Sequence, residues 1–193
     1  MADTIQRTWT LEDFLAWESS QAGRHEFVAG QVRAMTGATK AHNLIAANIY
    51  SALRAGLRGT PCQPFIGDIK IIIQANGNVR YPDVLVDCSP FVANDVAAKK
   101  PTIVFEVLSK STAWIDQTDK MDDYASVDSI AVVFLVRQSA RAIEVWRRDG
   151  ARLVKAPDAG EVIALDPLAM TISLDAIYDG VPLSADEDRA EGA

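Results

Sequence analysis

Thr102-Ile103-Val104-Phe105-Glu106-Val107-Leu108 is the stretch on which the fold turns. So continuous an apolar run predicts a strand covered on both faces, the kind that lies inside a sheet flanked by helices. Glu106 interrupts it. A carboxylate there is costly to bury, so it either faces a cleft or binds a cation. Tyr81-Pro82-Asp83-Val84-Leu85-Val86 shows the same pattern on a strand that could neighbour the first. Two acids brought together on adjacent strands repel, and a divalent metal is the common remedy. With no His or Cys completing the set, hard oxygen ligands imply magnesium or manganese rather than zinc. Read alone, Asp83 also suits a turn or strand-edge role after Pro82.

Outward from this pair, the pattern alternates helices and strands. Phe65 to Gln74 and Val79 to Cys88 read as two antiparallel strands joined by the hairpin signal Asn76-Gly77. Upstream, Ile45, Ile49, Leu53 and Leu57 recur every four positions and predict a long helix from Ala41 to Leu57. His25–Val28 and Gln31–Met35 flank Ala29-Gly30 as a second hairpin, with Glu26 in its first strand. Thr10 followed three residues later by Asp13 opens a short helix to about Ser20. Downstream, Ser111-Thr112 can cap a helix running to about Ser126, and Ile130–Val136 and Ala142–Arg147 are two more strands. Short strands and a last short helix follow to about Tyr178. Helices before and between strands make this an α/β or α+β domain around one mixed sheet. On the helix after Leu108, Asp116, Lys120 and Tyr124 fall at i, i+4 and i+8, one face that could bring an ammonium to the acids. An Asp–Lys pair on a solvated face is the plainer reading of that spacing.

With 193 residues, 49% hydrophobic and 23% charged, the chain suits one domain, residues 1–183, with residues 184–193 as a disordered acidic tail. The longest apolar run, Ile130 to Val136, is far too short for the roughly 20 residues of a membrane span, and the N-terminus lacks a secretory pattern. A cytoplasmic location is the expectation. Cys62 and Cys88 then read as core-packing thiols. The net charge of −7 argues against a broad non-specific nucleic-acid binder but leaves room for a local phosphate site.

Tyr81-Pro82-Asp83, Phe105-Glu106-Val107-Leu108-Ser109, and Ser111-Thr112 with Asp116, Lys120 and Tyr124 together resemble the Uma2 (DUF820) family of restriction-endonuclease-like proteins, within the PD-(D/E)xK nuclease superfamily. The resemblance extends upstream through His25–Val32 and through Thr36-Gly37-Ala38 with His42, Ile45, Asn48 and Leu53, and covers about Thr10 to Arg147. It implies an α/β fold with a restriction-endonuclease-like core, a central mixed sheet flanked by helices with an added N-terminal helix and hairpin, and a metal-dependent endonuclease acting on DNA. Asp83, Glu106 and the Val107 carbonyl would hold Mg2+ or Mn2+, with Glu26 as a further ligand or holder of a metal-bound water. As an alternative, Glu26 is an exposed hairpin charge. The superfamily lysine two residues after the second acid is replaced by Leu108. Lys120 matches the family's helix lysine, and Lys110 and Lys70 are its rivals. His42 matches a family position but reads more simply as a capping or surface residue. The missing lysine and acidic balance leave two alternatives, an inert binding or regulatory module and a hydrolase of smaller phosphoesters. A basic rim of Arg80, Lys99, Lys100 and Lys110 would favour DNA, and apolar residues near Ile143 to Trp146 could serve a homodimer.

Overall fold

The computed structural model describes residues 9–35, 37–108, 114–157 and 160–183. Helix α1 (Leu11–Glu18) begins where the Thr10 hydroxyl accepts a hydrogen bond from the Asp13 amide at 3.1 Å, and it buries Phe14. Strands β1 (His25–Val28) and β2 (Gln31–Ala34) close on Ala29 and Gly30, whose φ values of 50° and 78° are both positive, as the tightest hairpin loops require. Helix α2 (Lys40–Gly56) is capped by Thr39, and its buried stripe is Ile45, Ile49 and Leu53. Thus the hairpin, both helices and their faces follow the sequence pattern.

The next segment departs from it. In place of two long strands there are four short ones: β3 (Gln63–Ile66), β4 (Ile71–Ile72), β5 (Val79–Arg80) and β6 (Val84–Asp87). The inner pair, β4 with β5, joins the hairpin in a four-stranded sheet of order β2-β1-β5-β4. The outer pair, β3 with β6, belongs to the main sheet. Both chains bend together, because Pro82 has no N–H to continue a ladder and Gly67 opposite adopts φ +71°. The Gly67 amide donates to the Asp83 carbonyl at 2.9 Å across that bend. Asp83 therefore stands at the joint between two sheets.

The six-stranded main sheet runs β10-β9-β8-β7-β6-β3, with β7 (Pro101–Leu108), β8 (Val132–Arg137), β9 (Ile143–Asp149) and β10 (Arg152–Lys155). Only β7 and β8 are parallel, and helix α3 (Trp114–Ala125) makes the crossover between them. The period of two along β7 sends Ile103, Phe105 and Val107 to the core shared with α2, while Val104 joins Leu85, Val133 and Tyr124 on the α3 side. Glu106, by the same alternation, faces α3. A small ribbon of β11 (Val162–Leu165) and β12 (Met170–Ser173) leads to helix α4 (Leu174–Ile177), which packs on α2. Among the described residues no helix is long and apolar enough to cross a membrane.

Two further expectations are corrected. Cys62 and Cys88 form a disulfide with Cα atoms 3.9 Å apart, where they had read as core-packing thiols. Each flanks the paired residues Gln63 and Asp87, so strand register makes neighbours of cysteines 26 residues apart. The apolar side of β9 is also no free dimer face. Ile143 and Val145 lie in the core on the α2 side, and Trp146 packs half-buried against the core on the α3 side. Residues 184–193 lie outside the described residues.

Candidate functional site

Glu106 is only 7% exposed, and among the described residues the side chains that bond its carboxylate, Lys120 and Tyr124, both come from α3. The Lys120 ammonium lies 3.3 Å from both of its oxygens, and one turn later the Tyr124 hydroxyl donates to Oε1 at 2.5 Å. The helical spacing of four residues brings both groups to one acid. Lys120 also reaches Glu26 Oε1 at 3.4 Å, so two of the candidate acids share its charge.

Glu26 is buried in the hairpin strand, and the exposed-charge reading is set aside. Its Oε2 accepts from Arg80 Nη1 at 3.0 Å and its Oε1 from the Tyr81 amide at 3.4 Å. Arg80 is fully buried and also donates through Nε to Asp123 Oδ2 at 2.6 Å. Asp123 in turn accepts from Asn76 at 2.7 Å and from Asn78 at 2.9 and 3.1 Å. The Asn76-Gly77-Asn78 turn thus does more than reverse the chain, since it pins α3 at Asp123. Sequence reading missed Asp123, although it lies three residues after Lys120 on the same helix face.

Asp83 Oδ2 accepts from the Val107 amide at 2.7 Å, which fixes the acid against β7. His42 Nε2 stands 3.2 Å from the same oxygen, so this histidine is neither a cap nor a surface group. Its bond to Asp83 raises its pKa despite partial burial, and the nearby charges and the Val107 main chain add to the rise. Burial pushes the Glu106 carboxyl up to about 7; the Lys120 charge opposes this, the Asp83 charge adds to it, the Tyr124 bond opposes it and Glu26 adds again. Burial, then the charges of Glu106 and Glu26, keep the Tyr124 phenol protonated as a donor.

The rival lysines fall elsewhere. Lys70 is buried against Glu18, with Nζ 2.5 Å from Oε2, and packs over the Tyr81 ring. Lys110 and the Ser111-Thr112 cap lie outside the described residues, as does the Asp116 side chain. Of the expected basic rim, Arg80 is buried within the acid network and Lys99 is bonded to Asp95 at 2.6 Å.

The donor chemistry fits one hard divalent cation. Among the described residues, Glu26 and Glu106 meet the Lys120 ammonium, Glu26 and Asp123 meet Arg80, and the Asp83 and Glu26 charges add to the burial that raises the Glu106 pKa. No three His, Cys, Asp or Glu side chains among the described residues form a closed metal cage. A magnesium-type ion does not need one, because it is commonly held by one or two carboxylates and completed by water and substrate phosphate.

An α/β core with a mixed sheet, flanking helices and acids on an inner strand is the architecture of a nuclease-type fold. The family profile Uma2, described as "Putative restriction endonuclease", matches residues 11–176, and the chain belongs to this family. The crystal structure of a "putative nuclease belonging to DUF820" from Anabaena variabilis superposes with a TM-score of 0.71 at 14% identity, over 88% of this chain and 97% of that one. Two uncharacterized Synechocystis sp. proteins are also similar. Protein slr1290 is 31% identical over 88% of this chain and 91% of its own length. Protein sll1609 is 26% identical over 74% and 82%.

Proposed function

We propose that the chain is a metal-dependent endonuclease that hydrolyses DNA phosphodiester bonds. The observation that carries this reading is Lys120, whose ammonium lies 3.3 Å from both Glu106 oxygens and supplies from α3 the cation missing at Leu108. Asp83, Glu106 and the Val107 carbonyl would hold Mg2+ or Mn2+, which when bound polarises the phosphodiester and acidifies a water.

The chain's own groups do the rest. Lys120 neutralises charge that develops on the phosphoryl oxygens during in-line attack and orients the attacking water. Tyr124 fixes the rotamer of Glu106 through its hydroxyl. Glu26 shares the Lys120 charge and keeps its head at the acids, while Arg80 anchors Glu26 from behind.

A cleavage assay on plasmid and short duplex DNA, with and without Mg2+ or Mn2+, tests the reading. Metal-dependent nicking that disappears in Glu106→Gln is expected. A folded wild-type protein inactive on all substrates with either ion would leave the inert binding module in its place.

A further inference from the structure

His42 stands beside the candidate acids without a role so far. Its Nε2 lies 3.2 Å from Asp83 Oδ2 and donates a hydrogen bond to it, the same oxygen that takes the Val107 amide at 2.7 Å. Nδ1 is buried and makes no hydrogen bond, so Nε2 carries the ring's polar contact with the acid. With both donors on Oδ2, Oδ1 makes no hydrogen bond or ion pair among the described residues, on a side chain that is 20% exposed.

A circuit of hydrogen bonds places the histidine. The His42 amide donates to Thr39 Oγ1 at 3.1 Å, that hydroxyl donates to Gln138 Oε1 at 2.7 Å, and the Gln138 amide donates to the Leu108 carbonyl at 3.4 Å. Leaving β7 at Val107 and returning to it at Leu108, the circuit passes through Asp83 at the joint between the sheets, the first turn of α2 and the residue after β8.

We propose that His42 is a positioning residue for the reaction proposed above, holding the Asp83 carboxylate so that Oδ1 is the oxygen presented to the reacting groups. The inference rests on the endonuclease reading and adds a residue to it. An aspartate carboxylate turns readily about its last bond, and a single donor on one oxygen leaves that rotation open. A second donor arriving from a different element closes it. Here the Val107 amide comes from β7 and the imidazole from α2, and Val107 and Ile45 of those two elements lie in one core that fixes their spacing. Misplacing a reacting group by about 1 Å can lower a rate by about 10²-fold, so the bond is read out chiefly in turnover.

Two substitutions separate the hydrogen bond from the bulk of the ring. His42→Leu fills the space without a donor, whereas His42→Gln returns an amide N–H near the position of Nε2. In cleavage of duplex DNA, His42→Leu should lower kcat by about 10²-fold with KM little changed. His42→Gln should recover most of that loss, and thermal melts check that both variants are folded. Independently of cleavage, NMR of the full wild-type chain with 15N-labelled histidine should show a proton on His42 Nε2 that exchanges slowly with water, and fast in Asp83→Ala. His25, the other of the two histidines, is assigned by His25→Gln. Equal kcat in wild type and His42→Leu, or a folded His42→Gln as slow as His42→Leu, would overturn the positioning role alone. An unprotonated His42 Nε2 would do the same. Wild-type protein that cleaves no DNA while His42 Nε2 keeps its protected proton would overturn the endonuclease reading, and the positioning role with it.

Discussion

Lys120 Nζ is equidistant from the two oxygens of Glu106, at 3.3 Å from each, across the space between helix α3 and strand β7. A point charge so placed is shared by both carboxylate oxygens, and in the proposed reaction the same ammonium would also face a phosphate. Lys120→Met keeps the length of the side chain and removes the charge. Cleavage should fall by about 10²- to 10³-fold, the loss typical of a charge-stabilising group. Binding of Mn2+ should persist, since an ammonium is no metal ligand, and Lys110→Met should do less. The opposite ranking in single-turnover assays would move the essential lysine to the segment after β7.

Arg80 sits between two acids with no exposure to solvent, so removing it leaves the Asp123 charge with only the Asn76 and Asn78 amides and Glu26 with Lys120 as its remaining cation. Breaking one side of a buried ion pair commonly costs about 3–5 kcal/mol. Arg80→Met should lose stability on that scale in denaturant melts. Adding Asp123→Asn to it should recover part of the loss, because one stranded charge disappears. A double variant less stable than Arg80→Met would mean that Asp123 stabilises the fold chiefly through Asn76 and Asn78.

The sequence carried the helices, the first hairpin and the buried β7 because each depends on local periodicity and turn chemistry. The same pattern placed Glu106 on an inner strand and Lys120 with Tyr124 on one helix face. It did not carry the split of the long hairpin at Gly67 and Pro82, because alternating Ile and Val residues look alike whether they pair in one sheet or two. Nor could it show that Arg80 is spent inside the acid network rather than on a basic rim, or that His42 reaches Asp83 from α2. Those contacts join residues more than 40 positions apart, and only the packing of both sheets against the helices brings them together.

Glu18 is a buried acid outside the candidate site. It takes the Lys70 ammonium on one oxygen and the Tyr81 hydroxyl on the other, and so ties α1 to the small sheet. Burial alone would raise its pKa, but the bonds from Lys70 and Tyr81 outweigh that and hold the carboxyl below its ordinary range. An acid whose folded pKa is depressed adds stability above its unfolded pKa, about 4.3 for Glu, and loses it as pH falls through the folded value. Acid unfolding of the wild type should therefore steepen below about pH 4.3. In Glu18→Gln that limb should be flatter and the stability at pH 7 lower. Equal acid limbs in the two proteins would show that the pair contributes nothing net.

The Cys62–Cys88 disulfide closes a loop with a sequence separation of 26 between edge strand β3 and its neighbour β6. Cross-linking a loop of that length restricts the unfolded chain by about 3–4 kcal/mol in the entropic account. The same strands are also paired by four residue positions, from Gln63 with Asp87 to Ile66 with Val84, so the native register survives without the bond. Reduction should then lower the unfolding free energy by about 3 kcal/mol and leave the fold, and any metal binding, in place. Cys62→Ser with Cys88→Ser should behave as the reduced wild type does. Because β6 begins just after Asp83, loss of Mn2+ binding in that double variant would mean instead that the cross-link is needed to hold the joint between the two sheets.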